Sequence, residues 1–266
     1  MDVRGPLTLD LGGLRAELLP ARGANGGVSL VVDGITQSHV NPADPTDLQL
    51  EYVRCVAAVI DGCLEPASPA RVLHLGAGAL TLARYVGATR PASVQHVVDL
   101  HRELVEFVLD ALPLDPALTV TFEYDDARVA VDRSAAHRVE FDLVIVDVFS
   151  GSRTPEHLAT TEFFDAIASL LGPAGVLVVN TIASSGLGIS RTAGATLRDV
   201  FADVAALAAP AVFAEAGPGN VVFAASQAEL PLRRIRRRID RTHRRIDLLD
   251  GSALTAYLDG APVSRD

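Results

Sequence analysis

A short apolar run, Arg71-Val72-Leu73-His74-Leu75, breaks into Gly76-Ala77-Gly78 and then into a helical pattern through Ala83-Arg84-Tyr85-Val86. This order constrains the fold more than any other feature of the chain. A strand that turns through glycines into a helix opens a βαβ unit. Glycine allows the tight turn, and it lets a ligand approach the backbone beside the outward-pointing N–H groups of a helix start. A dinucleotide fingerprint would want a third glycine at position 81. Thr81 stands there, which disfavours a nicotinamide cofactor.

The pattern that follows is strand alternating with helix. Val94 to Leu100, Leu118 to Tyr124, Phe141 to Val146 and Gly175 to Asn180 read as strands. His101 to Leu112 and Thr160 to Leu171 read as helices, the second capped by Thr160 and stopped by Gly172-Pro173. Residues 190–206 read as helix, and strands are expected around 211–214 and 220–225. Such alternation predicts an α/β fold: a Rossmann-like, mostly parallel sheet with helices on both faces. Before it, Leu7 to Leu11 and Leu14 to Leu18 flank Gly12-Gly13, and Val28 to Gly34 follows Gly26-Gly27. This predicts a small antiparallel β extension, joined to the core by a helix from about Leu48 to Leu64. Three segments are expected: residues 1–65 as extension and connecting helix, 66–230 as the Rossmann-like catalytic domain, and 231–266 as a basic helix and tail.

Hydrophobic residues make up 49% of the 266 residues and charged residues 21%, enough for both a core and a soluble surface. No apolar run approaches the roughly 20 residues of a membrane helix, and the first residues lack a signal-peptide pattern. A cytoplasmic protein is expected. Cys55 and Cys63 have no metal-ligand spacing and read as reduced and structural. The net charge of −10 disfavours nucleic acid as a partner and suits a cationic substrate. The exception is residues 233–245, rich in arginine, where Leu232, Ile235, Ile239, Ile246 and Leu249 can share one helical face. The expected role is a docked amphipathic helix whose arginines pair with the acidic body.

Candidate site residues gather at strand ends, where open α/β sheets bind ligands. They are Gly76 and Gly78 in the turn, and Asp99, 21 residues after Gly78, where a carboxylate can accept from both ribose hydroxyls. Asp126 and Ala127 follow the next strand. Asp147 ends the apolar strand Val144-Ile145-Val146, where an acid needs solvent or a partner. His74, inside a strand, reads as a hydrogen-bonded core histidine. His157 follows Pro155 in a loop over the site. No Ser-His-Asp order, Cys-His pair or metal cluster stands out.

Together these features resemble the class I fold that binds S-adenosylmethionine. More closely, Val31-Val32-Asp33-Gly34-Ile35-Thr36-Gln37-Ser38, the later Glu51-Tyr52, the glycine turn, Asp99, Asp126-Ala127 and Asp147-Val148-Phe149-Ser150-Gly151 resemble spermidine synthases, the polyamine aminopropyltransferases. The stretch from Thr154 to Phe164 is similar to the bacterial spermidine synthase-like branch. The resemblance covers roughly residues 28–182. It implies a transferase of polyamine biosynthesis that takes decarboxylated S-adenosylmethionine as co-substrate, with no tightly bound cofactor and no metal, and that works as a homodimer or higher homo-oligomer. Asp147 would be the catalytic carboxylate, orienting and activating the amine. Gln37, Gly76, Gly78, Asp99, Asp126 and Ala127 would hold the nucleoside co-substrate, and Tyr52 and Ser150 the amine. The sequence departs from the family at Ala79, at Ser150 and at Val53-Arg54, positions where the family carries polar or acidic residues on the cationic side of the pocket. Two other readings follow from these departures: a methyltransferase using intact S-adenosylmethionine, and a non-catalytic nucleoside-binding protein that uses the basic helix for partner contact.

Overall fold

A computed structural model describes residues 5–21, 26–149, 154–183, 187–241 and 245–266. Two sheets organise it. The smaller is antiparallel, in the order β1 (Leu7–Asp10), β2 (Arg15–Pro20), β3 (Val28–Val32) and β4 (Ile35–Val40). Three of its strands follow the expected pattern, and β4 is an addition. Asp33 and Gly34 take φ of 49° and 79°, the left-handed pair of a tight two-residue hairpin turn. The Asp-Gly pair therefore reverses the chain and carries Gln37 and Ser38 back on a strand.

The larger sheet has eight strands. β5 (Arg71–Leu75), β6 (Val94–Val98), β7 (Thr119–Glu123), β8 (Phe141–Val146) and β9 (Leu171–Ile182) are parallel. β10 (Asp203–Ala208), β11 (Asn220–Ser226) and β12 (Asp247–Leu249) add antiparallel pairings. The spatial order is β12-β10-β11-β9-β8-β5-β6-β7. The order reverses between β5 and β8, and a crevice opens there at the strands' C-terminal ends.

Period-two alternation sorts the apolar side chains to two faces. Leu73, Leu75, Val144, Val146, Leu177 and Val179 pack under α5 (Thr161–Leu170) and α6 (Gly188–Val200). Val72, Leu143, Ile145 and Val178 pack under α1 (Glu51–Cys63) and α2 (Thr81–Thr89), with α8 (Leu232–Asp240) laid across α1. The small sheet buries Ala16, Leu18 and Leu30 against Val108, Ala111 and Leu112 of α3 (Arg102–Ala111) and its C-cap, and against Ala79 of the glycine turn. The extension is thereby fixed to the same edge of the large sheet as the crevice.

Four local expectations change. Residues 203–206, read as the end of a helix, belong to the buried strand β10. A run buried on both faces has no amphipathic period by which strand and helix can be told apart. Residues 210–213 form the short helix α7, with Pro210 in its first turn, in place of a strand. The basic helix ends at Asp240, so Ile246 lies beyond it and Leu249 belongs to the edge strand β12. Two helices lacked a clear pattern: α4 (Ala127–Ala136), whose apolar face is weak, and α9 (Gly251–Leu258). The helix α8 does dock. Ile235 and Ile239 are buried, Arg234 pairs with Glu65 at 2.7 Å, and Arg236 pairs with Asp250 at 2.7 Å. Cys55 and Cys63 are free, and burial pushes both thiols up to about 12, so neither is an available nucleophile near neutral pH. No helix is long and apolar enough to cross a membrane among the described residues.

Gly62 is the contact point between α1 and α8. A side chain there would meet the backbone Cα and N of Ile235 at 3.0 Å. Neither backbone can yield without lifting the helix. Gly62→Val is expected to destabilise the fold by about 1–3 kcal/mol. Thermal unfolding should show a Tm lowered by several degrees, and an unchanged Tm would mean α8 is not held at this crossing.

Candidate active site

The crevice at the strand reversal deepens into a cavity of about 450 Å³, within the usual size range of small-molecule sites. Its floor is His74, Val97 and Ile145, and its wall includes Gly76, Ala77, Gly78, Leu80 and Thr81 of the glycine turn. The small sheet supplies Gln37 and Ser38, α1 supplies Tyr52, and the far side is Asp147, Asn180 and Asn220.

Each of these is positioned for a local reason. Gly76 has φ of +95°, and a side chain on it would run into the carbonyl of Asp147. The turn after β5 and the turn after β8 therefore touch, and only glycine permits it. Gly78 has φ of +49° and sits against the hydroxyl of Ser38, which accepts a hydrogen bond from the Ala79 N–H at 3.1 Å. Thr81 donates its hydroxyl to the carbonyl of His39 at 3.0 Å. These two bonds lock β4 onto the start of α2, so the extension forms one side of the site.

Asp147 is the one carboxylate in the cavity wall among the described residues. It lies deep in the protein yet keeps some surface open to the cavity. Burial pushes its carboxyl above the usual carboxylate range, while hydrogen bonding with Asn180 and Tyr52 works in the other direction. Asn180 donates to Asp147 at 2.8 Å, and Asn220 donates to the Asn180 carbonyl oxygen at 3.0 Å. The pair of amides holds the carboxylate in one orientation. The Tyr52 hydroxyl shares its single proton between Asp147 and the Gln37 carbonyl, the latter at 3.2 Å. Burial, with the nearby Asp147 charge adding to it, keeps Tyr52 un-ionised.

The remaining predicted residues lie along the same sheet edge. Asp99, after β6, accepts from the Ala77 N–H and from the His101 N–H, each at 2.8 Å. It braces the glycine turn from outside the cavity wall. Asp126 caps α4, accepting from the Arg128 N–H at 2.8 Å, and its other oxygen is 2.9 Å from His157 Nε2. Burial opposes ionisation of Asp126, but the bonds from His157 and from the helix backbone outweigh it and hold the carboxyl below its usual range. Ala127 is buried behind it. Asp126 and Ala127 do not line the cavity itself. Ser150 lies outside the described residues. Among those residues, no group of three or more His, Cys, Asp and Glu is arranged to hold a metal ion.

Three contributors were not singled out from sequence. Asn180 carried a readable signal, a polar residue closing the apolar run Val176-Leu177-Val178-Val179. Ser38 was noticed only within its motif. Asn220 had no local signal, because its place depends on β11 pairing with β9 through Asn220 and Ile182.

The chain resembles known proteins in sequence and in fold. No family model matches the chain. A polyamine aminopropyltransferase of Vibrio vulnificus is 29% identical over 160 residues, covering 60% of this chain and 52% of that protein. The chain thus spans about half the length of this curated relative. An N-terminal histidine N-methyltransferase of Emericella nidulans is 28% identical over 133 residues, covering 47% of the chain and 24% of that protein. The crystal structure of a probable spermidine synthase from Corynebacterium glutamicum superimposes with a TM-score of 0.87 at 29% identity, covering 98% of this chain and 96% of that one. In sequence and fold the chain is spermidine synthase-like. The small antiparallel sheet, the parallel core and the antiparallel strands of this spermidine synthase-like chain all fall within that near-complete superposition.

The contact between Gly76 and the Asp147 carbonyl yields a direct expectation. Gly76→Ala adds a methyl group at positive φ and against a backbone oxygen, and is expected to cost about 2–4 kcal/mol. Denaturant unfolding checks this, and a loss below about 0.5 kcal/mol would show that the two turns are not in firm contact.

Proposed function

We propose that this chain catalyses aminopropyl transfer from decarboxylated S-adenosylmethionine to a small amine, with Asp147 at the reacting centre. One observation carries the reading. Among the described residues the cavity wall carries one carboxylate, Asp147, raised by burial and fixed by Asn180, and no other acid, lysine or arginine. Such a site favours a cation and the positive charge that develops during reaction. Likeness to proteins named polyamine aminopropyltransferase and spermidine synthase supports the same reading.

The chemistry is an in-line displacement. The lone pair of a neutral amine attacks the propyl carbon bonded to the sulfonium sulfur. A C–N bond forms as the C–S bond breaks, and its electron pair leaves with sulfur as a neutral thioether. The nitrogen becomes positive and then gives up a proton. Asp147 orients the amine, stabilises the growing ammonium and accepts that proton or passes it to solvent. Asp99 supports the ribose side through the glycine turn, and Asp126, with Ala127 behind it, supports the purine side. Gln37 stands against the nucleoside co-substrate. Tyr52 is the residue on the amine side among the described ones, and the resemblance assigns Ser150 to the amine as well.

Charge counting favours one second reading, methyl transfer from intact S-adenosylmethionine. The amino and carboxylate groups of the intact donor cancel, leaving one sulfonium for the one carboxylate that the described residues place in the wall. The similarity to an N-methyltransferase agrees with it. Thermal unfolding separates the two. A ligand at about 100 times its Kd adds roughly 2.7 kcal/mol. Aminopropyl transfer predicts a raised Tm with decarboxylated S-adenosylmethionine and transfer to an amine. A rise with the intact form alone assigns methyl transfer, and no rise with either removes the donor from the site.

Two variants test the role of Asp147. Asp147→Asn is expected to fold and to lose turnover by about 10²-fold or more. Full activity in that variant would remove Asp147 from the mechanism. Asn180→Leu takes away a bond that stabilises the ionised carboxylate. It should raise the Asp147 pKa further, so the acid limb of the rate–pH profile moves to higher pH. An unmoved limb would mean that another group controls it.

A further inference from the structure

The donor in this reading carries a primary ammonium as well as a sulfonium, yet the cavity wall offers one carboxylate among the described residues. Ala79 is buried under the small sheet and has no polar group to give. The second positive group needs another acceptor, or its desolvation goes uncompensated.

His74 is placed to be that acceptor. It stands on β5, is 3% exposed, and forms part of the cavity floor beside Val97 and Ile145. One side of its ring is committed. Nε2 lies 2.9 Å from Gln95 Oε1, and Gln95 Nε2 donates to the Ala83 carbonyl at 3.1 Å. The second bond fixes the amide. Turning it over would set two oxygens against each other at Ala83 and leave the NH₂ facing the ring. Gln95 therefore accepts, and His74 Nε2 carries the proton. Nδ1 is left with its lone pair and with no hydrogen-bond partner among the described residues. Burial lowers the His74 pKa to about 4, so this lone pair stays available through the neutral range.

The register sets the distance to the reacting centre. His74 pairs with Ile145 on the neighbouring strand, and Asp147 lies two residues further toward the C-terminal edge, about 7 Å along the strand. A three-carbon chain reaches about 5 Å from sulfur to nitrogen, and a hydrogen bond of about 3 Å from that nitrogen completes a comparable span.

We infer that His74 Nδ1 is the acceptor for the primary ammonium of the donor's aminopropyl group, a specificity-determining contact at the cavity floor. The inference rests on the aminopropyl-transfer reading above. It gives Gln95 and Ala83 a purpose as well: they hold the tautomer that makes the floor an acceptor.

The test compares two ligands that share the adenosine and the sulfonium. One is decarboxylated S-adenosylmethionine, and the other is 5′-deoxy-5′-(dimethylsulfonio)adenosine, which lacks the amine. Dissociation constants are measured by calorimetry on the full chain. A hydrogen bond to a charged group should make the wild-type protein favour the amine-bearing ligand by about tenfold or more. His74→Phe and His74→Leu should abolish that preference while leaving the amine-free sulfonium bound as before. His74→Asn, which returns a short acceptor, should restore part of it. A wild-type preference near one overturns the inference whether or not the variants fold. So does a variant that weakens both ligands equally or neither. Failure of the wild-type protein to bind either ligand is a different result, because it removes the donor itself and with it the proposed function.

Discussion

The contact of Gly76 with the Asp147 carbonyl is the constraint on which the rest of the site depends. It occurs where the sheet order reverses, between β5 and β8. Strands diverge there because their following helices cross to opposite sides. The turns would ordinarily separate and leave a wide cleft. A glycine at positive φ lets one turn close against the other, and the cleft narrows to a cavity with defined walls. The Asp147 N–H donates to Leu75 at 2.9 Å, and the Gly76 N–H donates to Val98 at 2.8 Å. The backbone of the crossing is thus paired at the depth where solvent is scarce.

The electrostatics follow from that closure. Asp147 is raised because the cavity is deep, and it stays useful because Asn180 and Tyr52 bond to the ionised form. His74 is lowered for the same reason of depth, so the floor adds an acceptor without adding a positive charge. One environment shifts two groups in opposite directions, each toward its neutral state. Asp126, nearer the surface and bonded to His157 and to a helix start, shifts the other way. The sheet edge therefore grades from groups pushed toward their neutral forms inside to the Asp126 carboxyl, held below its usual range, nearer the surface.

The small antiparallel sheet is part of the candidate site. Ser38 and His39 bond to the start of α2, and the Gln37 carbonyl accepts from Tyr52. Removing these contacts would open one wall of the cavity and release Tyr52 from its place near Asp147. The connecting helix α1 plays two parts along its length. Its first turn carries Tyr52 to the cavity, and its last turns receive α8 at Gly62.

The amino-acid sequence by itself determined the class of fold and the ends of the parallel strands, because these rest on local periodicity and glycine chemistry. The strand entering Gly76-Ala77-Gly78, the acids that follow β6, β7 and β8, and the cap at Thr160 are all short-range signals. They place Gly76, Gly78 and Asp147 at one edge without reference to the rest of the fold. Only the tertiary structure decided that β10 is a strand and that residues 210–213 are helical, because burial between neighbours overrode weak local preference. Only the tertiary structure set Asp99 and Asp126 outside the cavity wall and brought Asn220 into it. The orientation of the Gln95 amide belongs here too, since it depends on a carbonyl from α2. Which side chains face one another across a sheet is set by long-range register, and no local pattern encodes a partner that lies dozens of residues away.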